Sequence, residues 1–125
     1  MSTATILVAD DDAMILRLVA ATLRDAGYTV LEAATGDEAL AHASRRPDLL
    51  IADLVMPPLG GLELARILSS KLPRLAVLHM SGYAPRTDFN SDPSASLISK
   101  PFTLETLRDH VDWALRARRD ALSRS

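Results

Sequence analysis

Four short apolar runs in this chain end on side chains that can do chemistry. Ile6-Leu7-Val8-Ala9 runs into Asp10-Asp11-Asp12, Leu49-Leu50-Ile51-Ala52 into Asp53, Leu75-Ala76-Val77-Leu78-His79-Met80 into Ser81, and Leu97-Ile98-Ser99 into Lys100. If these runs are the strands of one sheet, the acids, the hydroxyl and the ammonium converge on a single crevice outside the strand ends. Three carboxylates there would repel one another and take up protons unless a cation neutralised them. A hard divalent ion with oxygen ligands fits, Mg²⁺ above all, because it accepts a few carboxylates and keeps waters for substrate oxygens to displace. Each residue also has a plainer use. Asp10-Asp11 can serve as a helix cap with a first-turn charge, Asp53 as a turn cap, Ser81 as a small residue before Gly82, and Lys100 as a solvated cation. It is their recurrence at four strand ends that favours a shared site.

The elements that must position them follow from periodicity. The apolar runs lack alternation, as strands buried on both faces of a parallel sheet do. Tyr28-Thr29-Val30-Leu31 supplies a further strand. Between the strands, Met14, Ile15, Leu18, Val19, Thr22, Leu23 and Ala26 recur at the helical period, with Gly27 placed as a left-handed C-cap. Thr35-Gly36-Asp37-Glu38 reads as a capping box opening a short helix that ends before Pro47. Leu64, Ile67 and Leu68 line a third helix stopping near Pro73. Thr103 caps a last one with the stripe Leu104, Leu107, Val111, Ala114 and Leu115. Tyr83 to Ala95 carries no helical stripe and reads mostly as loop. Five strands alternating with helices imply an α/β fold, a flavodoxin-like doubly wound parallel sheet of order 2-1-3-4-5 with an irregular or reduced fourth helix.

Composition narrows the function classes. The 125 residues, 48% apolar and 24% charged, suit one globular domain over residues 1–125. With no cysteine, disulfide frameworks, thiolate metal sites and cysteine nucleophiles are excluded. No apolar run approaches the roughly 18 residues of a membrane span, and the first residues carry no basic signal-peptide region, so a cytoplasmic chain is expected. The net charge of −2 gives no reason to expect direct nucleic-acid binding. Residues 1–64 hold 10 acids against 4 bases, whereas 65–125 hold 6 against 10. Of the late bases, Arg116, Arg118, Arg119 and Arg124 read first as helix C-terminal charge and a solvated tail.

At Ile6 to Asp12, Asp53-Leu54-Val55-Met56-Pro57, Ser81-Gly82-Tyr83 and Lys100-Pro101-Phe102, the chain resembles the receiver domain of bacterial two-component response regulators, in order and spacing and over nearly its whole length. The resemblance implies that Asp53 is a phosphoacceptor. It also implies that Asp11 and Asp53 bind Mg²⁺ with the backbone carbonyl of Val55, and that Asp10 acts mainly through a coordinated water. Lys100 would pair with the phosphorylated site, Ser81 would bond a phosphoryl oxygen, and Pro101 would follow the lysine in a cis peptide. The donor implied is a phosphohistidine on a histidine kinase or histidine phosphotransfer domain, since none of His42, His79 and His110 stands at a strand end. The protein would be a stand-alone regulator or the receiver of a larger chain such as a hybrid kinase. It would assist its own phosphotransfer and dephosphorylation without being an enzyme on other substrates.

Alternatives fit less well. A phosphatase working through an aspartyl phosphate would place a second carboxylate two residues after the nucleophile, where Val55 stands. A pseudo-receiver would lack one of the acids or the lysine, and flavin binding is opposed by the acidic first loop.

Departures from the family pattern carry further expectations. Leu97 occupies the position usually held by a switching aromatic, with Tyr83 or Phe89 as nearby substitutes. The stretch from Ser81 to Lys100 looks short, and we expect it to be mobile and to respond to phosphorylation. Pro58-Leu59-Gly60-Gly61 should alter the loop after Asp53 without removing a metal ligand. Val55 and Tyr83 predict slow self-dephosphorylation. Trp113 falls almost opposite the stripe of the last helix, so it should face outward, on the family's fourth-helix, fifth-strand and fifth-helix face, where a homodimer or target would dock.

Overall fold

The computed structural model describes residues 3–82 and 88–123, with Asp88 and Phe89 described by their backbone alone. Five parallel strands, β1 (Thr5–Ala9), β2 (Thr29–Ala33), β3 (Leu49–Asp53), β4 (Ala76–Ser81) and β5 (Leu97–Ser99), form one sheet of order β2-β1-β3-β4-β5. Helices α1 (Ala13–Asp25), α2 (Gly36–Ala41), α3 (Gly61–Lys71) and α4 (Leu104–Ser123) cover both faces. Short 3₁₀ turns follow α2 at His42–Arg45 and precede β5 at Asp88–Ser91.

The largely apolar strands have a hidden period of two. Ile6, Val8, Leu49, Ile51, Leu78, Met80 and Ile98 face one side, where Leu16, Val19 and Leu23 of α1 and Leu107 and Val111 of α4 pack on them. Leu7, Ala9, Leu31, Leu50 and Ala52 face the other, against Ala39 of α2 and Leu64, Ala65 and Leu68 of α3. Burying both faces demands hydrophobic residues at successive positions of the central strands, which is why no alternation shows there in the sequence. The strands can then change character only at their ends, and that is where the polar groups stand.

Local signals work as the residues suggest. Asp12 caps α1, its Oδ1 accepting from the Met14 and Ile15 amides at 3.0 and 3.3 Å. Gly27 takes φ +99° after α1, and the Tyr28 N–H closes on the Leu23 carbonyl at 3.1 Å. Thr35 Oγ1 accepts from the Glu38 N–H at 3.1 Å, while Glu38 reaches back to the Ala34 N–H at 2.8 Å. Thr103 Oγ1 accepts from the Thr106 N–H at 3.0 Å.

The α1 stripe needs correction. Met14 and Leu18 are 81% and 50% exposed, whereas Leu16 and Ala20 are buried beside Val19 and Leu23. α1 carries apolar residues on two faces, and the docking angle set after the Asp12 cap selects the one that meets the sheet. Leu104 is likewise exposed, and His110 takes a buried place on α4. Between β4 and β5, residues 83–87 lie outside the described residues, and with them Tyr83 and part of the stretch expected to be mobile. From Asp88 to Ala95 the described backbone forms one 3₁₀ turn and no α-helix.

Candidate functional site

Asp10 follows β1, Asp53 ends β3, Ser81 ends β4 and Lys100 follows β5. The order β1-β3-β4-β5 therefore sets them side by side at the carboxyl edge of the sheet. Oxygen atoms of Asp10, Asp11 and Asp53 all lie within 4.8 Å of one another. Lys100 Nζ donates to Asp53 Oδ2 at 2.8 Å and to Asp10 Oδ2 at 3.0 Å. Asp10 is fully buried, Asp53 nearly so, and Asp11 exposed. Because Asp12 takes the capping role, Asp10 and Asp11 are left for the site.

The remaining carboxylate oxygens are held by main chain. Asp10 Oδ1 accepts from the Asp12 N–H at 2.9 Å, and Asp53 Oδ1 from the Val55 N–H at 3.1 Å. Burial pushes the Asp10 carboxyl above its ordinary pKa, and the Asp53 charge adds to this, against the Asp12 amide and Lys100. Burial alone would lower the Lys100 pKa, but its hydrogen bonds to Asp53 and Asp10 and their charges outweigh it and raise it. Three carboxylates against one ammonium leave an excess of negative charge that a single divalent cation would balance. An all-oxygen donor set suits a hard ion, so the cluster has the chemistry to hold a metal.

The loop after Asp53 is tightly packed. Gly61 donates its N–H to the Leu54 carbonyl at 3.1 Å, and a Cβ at Gly61 would collide with the Asp53 carbonyl. A Cβ at Gly36 would meet Leu59, so the altered Pro58-Leu59 sequence packs against the start of α2. The Pro57-Pro58 and Lys100-Pro101 peptides are both cis, the latter as the resemblance implies. Ser81 is buried, and its carbonyl accepts from the Lys100 N–H at 2.8 Å. Val55 is 49% exposed beside the acids.

The histidines stand apart from this cluster. His42 and His110 contact the Glu32 and Thr106 carbonyls, while His79, half-buried in β4, lies 3.3 Å from the Ala52 carbonyl. Burial lowers the His79 pKa. Trp113 is 41% exposed on α4, where it borders an open apolar groove with Leu75, Val77, Ala117 and Leu122. Arg118 is engaged with Asp48 at 3.3 Å and the Arg74 carbonyl at 2.7 Å, while Arg124 lies outside the described residues. No helix among the described residues is long and apolar enough to cross a membrane. Asn90, only a loop former in the sequence, bonds the main chain beside Lys100. Nothing local in the sequence signals that contact, because it depends on how the segment folds back on β5.

A family model described as the response regulator receiver domain matches residues 6–112. The response regulator receiver protein CpdR of Brucella abortus (strain 2308) is 34% identical over 90% of this chain and 97% of its own length. The sensor kinase CckA of the same organism is 36% identical over 88% of this chain, which spans only 12% of that protein. Among solved structures, a CheY-like response regulator receiver domain protein from Methanospirillum hungatei JF-1 superposes with a TM-score of 0.83 at 27% identity, covering 96% of this chain and 99% of the other.

Proposed function

The chain belongs to the response regulator receiver domain family of two-component signalling, and from that premise we propose that Asp53 accepts a phosphoryl group from a phosphohistidine and that the chain then alters its binding surface. The observation that carries the reading is the Lys100 ammonium held between Asp53 and Asp10 inside a cluster of three carboxylates. Fixed charges aimed at a reacting oxygen are the principal means by which phosphoryl transfer is promoted.

In the transfer, an Asp53 carboxylate oxygen attacks phosphorus in line as the N–P bond of the donor histidine breaks. The imidazole leaves and an acyl phosphate remains. Asp10, Asp11, Asp53 and the Val55 carbonyl would hold Mg²⁺, which would offset charge on the phosphoryl oxygens. Lys100, already hydrogen-bonded to Asp53, has only to follow the charge outward to pair with a phosphoryl oxygen, and Ser81 would bond another. Asp10 stays buried and keeps Lys100 oriented while it moves.

The donor in this reading is a histidine kinase or histidine phosphotransfer domain, and residues 1–125 act as a single receiver unit. A homodimer or target would meet the face that includes Trp113, and the site would govern its own dephosphorylation.

The test is a titration of Trp113 fluorescence and of two-dimensional amide spectra with Mg²⁺ and then beryllofluoride, in the wild type and in Asp53→Ala. We expect saturable Mg²⁺ binding, followed by a beryllofluoride shift that Asp53→Ala abolishes. A wild type that responds to neither ligand would overturn the reading.

A further inference from the structure

β5 has three residues and forms the outer edge of the sheet. Main-chain groups alternate in direction along a strand, and on an edge strand every second residue turns its N–H and carbonyl away from the sheet. Two bonds set the parity here. The Ser96 carbonyl accepts from the His79 N–H at 2.8 Å, and the Lys100 N–H donates to the Ser81 carbonyl at 2.8 Å. Ser99 therefore faces outward. One side chain meets both of its groups: Asn90 Oδ1 accepts from the Ser99 N–H at 2.8 Å, and Asn90 Nδ2 donates to the Ser99 carbonyl at 3.0 Å.

A carboxamide offers a donor and an acceptor side by side, as a peptide unit does, so Asn90 occupies the place of a further strand for one residue. The 3₁₀ turn Asp88–Ser91 presents it. The clamped residue is the one immediately before Lys100. Lys100 is thus fixed through its main chain to Ser81 on the inner side, and through Ser99 to Asn90 on the outer side, while its Nζ spans Asp53 and Asp10.

We propose that Asn90 is a positioning residue for Lys100, tying the segment before β5 to the phosphoacceptor site by pairing with the Ser99 main chain. Neither close analogue reproduces the pairing. Aspartate keeps the acceptor for the Ser99 N–H but sets a charge against its carbonyl, and glutamine is longer by one methylene.

The inference rests on the reading of Asp53 as phosphoacceptor, and its experiment keeps the two apart. Mg²⁺ affinity and the beryllofluoride concentration for half-saturation are measured on the full chain for wild type, Asn90→Ala, Asn90→Asp and Asn90→Gln, with folding followed by far-UV circular dichroism. Asn90→Ala should raise the beryllofluoride half-saturation about tenfold, as a misplaced cation requires, while Mg²⁺ affinity stays within about twofold because the carboxylates are untouched. Asn90→Asp should recover part of the loss and Asn90→Gln little. A purely structural role would lower the unfolding midpoint but leave beryllofluoride affinity of the folded chain unchanged, and that result overturns the proposal. If Asn90→Ala does not fold, wild-type beryllofluoride affinity in both Asn90→Asp and Asn90→Gln overturns it equally. A wild type that binds no beryllofluoride overturns the phosphoacceptor reading, and this inference with it.

Discussion

Val55 stands two residues beyond Asp53, half exposed, with its N–H given to the Asp53 carboxylate. Its isopropyl group has neither donor nor acceptor with which to orient a water for attack on an acyl phosphate. A carboxamide there would supply both. Val55→Asn should therefore shorten the phosphoryl half-life by about three- to tenfold, less than the roughly hundredfold or more of a true general acid or base, because a carboxamide orients water without taking its proton. The check is the decay of the phosphorylated chain after donor removal, and an unchanged half-life would show that Val55 does not set the phosphoryl lifetime. Leu97 is only partly buried on the edge strand. Two positions along the same strand, Ser99 is held by Asn90, the contact we assign to the positioning of Lys100.

At the scale of elements, a side-chain hydrogen bond ties α4 to the start of β2, in addition to the link of Arg118 to Asp48. The Tyr28 hydroxyl, just before β2, donates to Asp112 Oδ1 at 2.7 Å. Burial first, then the Asp112 hydrogen bond and charge, push the Tyr28 phenol up to about 12 from its ordinary value of 10.0. A folded-state pKa above the unfolded one means that the protonated phenol stabilises the fold. That contribution is complete below pH 10 and is lost as pH rises from 10 toward 12. Tyr28→Phe should lose about 1 kcal/mol at neutral pH, the usual net value of such a bond. Its stability should then differ less from wild type as pH climbs through that window. Urea denaturation of both proteins at pH 8, 10 and 11.5 tests this, and a gap that widens with pH would contradict it.

For the whole molecule, the balance of charge at the sheet's carboxyl edge would make stability depend on a bound divalent cation. The carboxylates outnumber the Lys100 ammonium among them, and folding holds them together at a cost that a divalent cation would remove. At a Mg²⁺ concentration tenfold above its dissociation constant, the folded state should gain about 1.4 kcal/mol. Thermal unfolding with and without Mg²⁺, repeated on Asp53→Ala, measures the gain and its dependence on the cluster. An equal gain in the variant would place the ion elsewhere.

Much of this architecture is legible in the chain because its physical causes are local. Apolar runs long enough to be buried on both faces, each stopped by a polar residue, give the strands, their ends and the site together. The caps at Asp12, Thr35 and Thr103 and the turn at Gly27 need only neighbours within a few residues. The same locality hides what depends on docking. With apolar residues on two faces of α1, only its seat on the sheet decides that Leu16 and Ala20 are buried while Met14 and Leu18 are exposed. His110 takes a core position for the same reason. The pairing of Asn90 with Ser99 joins residues nine apart through a turn of no sequence signature, and the bond of Lys100 to Asp10 spans 90 residues. Sequence by itself determined which groups could react and at which strand ends they stand, because residue type and periodicity carry that information. Tertiary structure alone decided which oxygen faces which nitrogen and what holds the lysine between two acids, because those follow from strand order and packing across the whole chain.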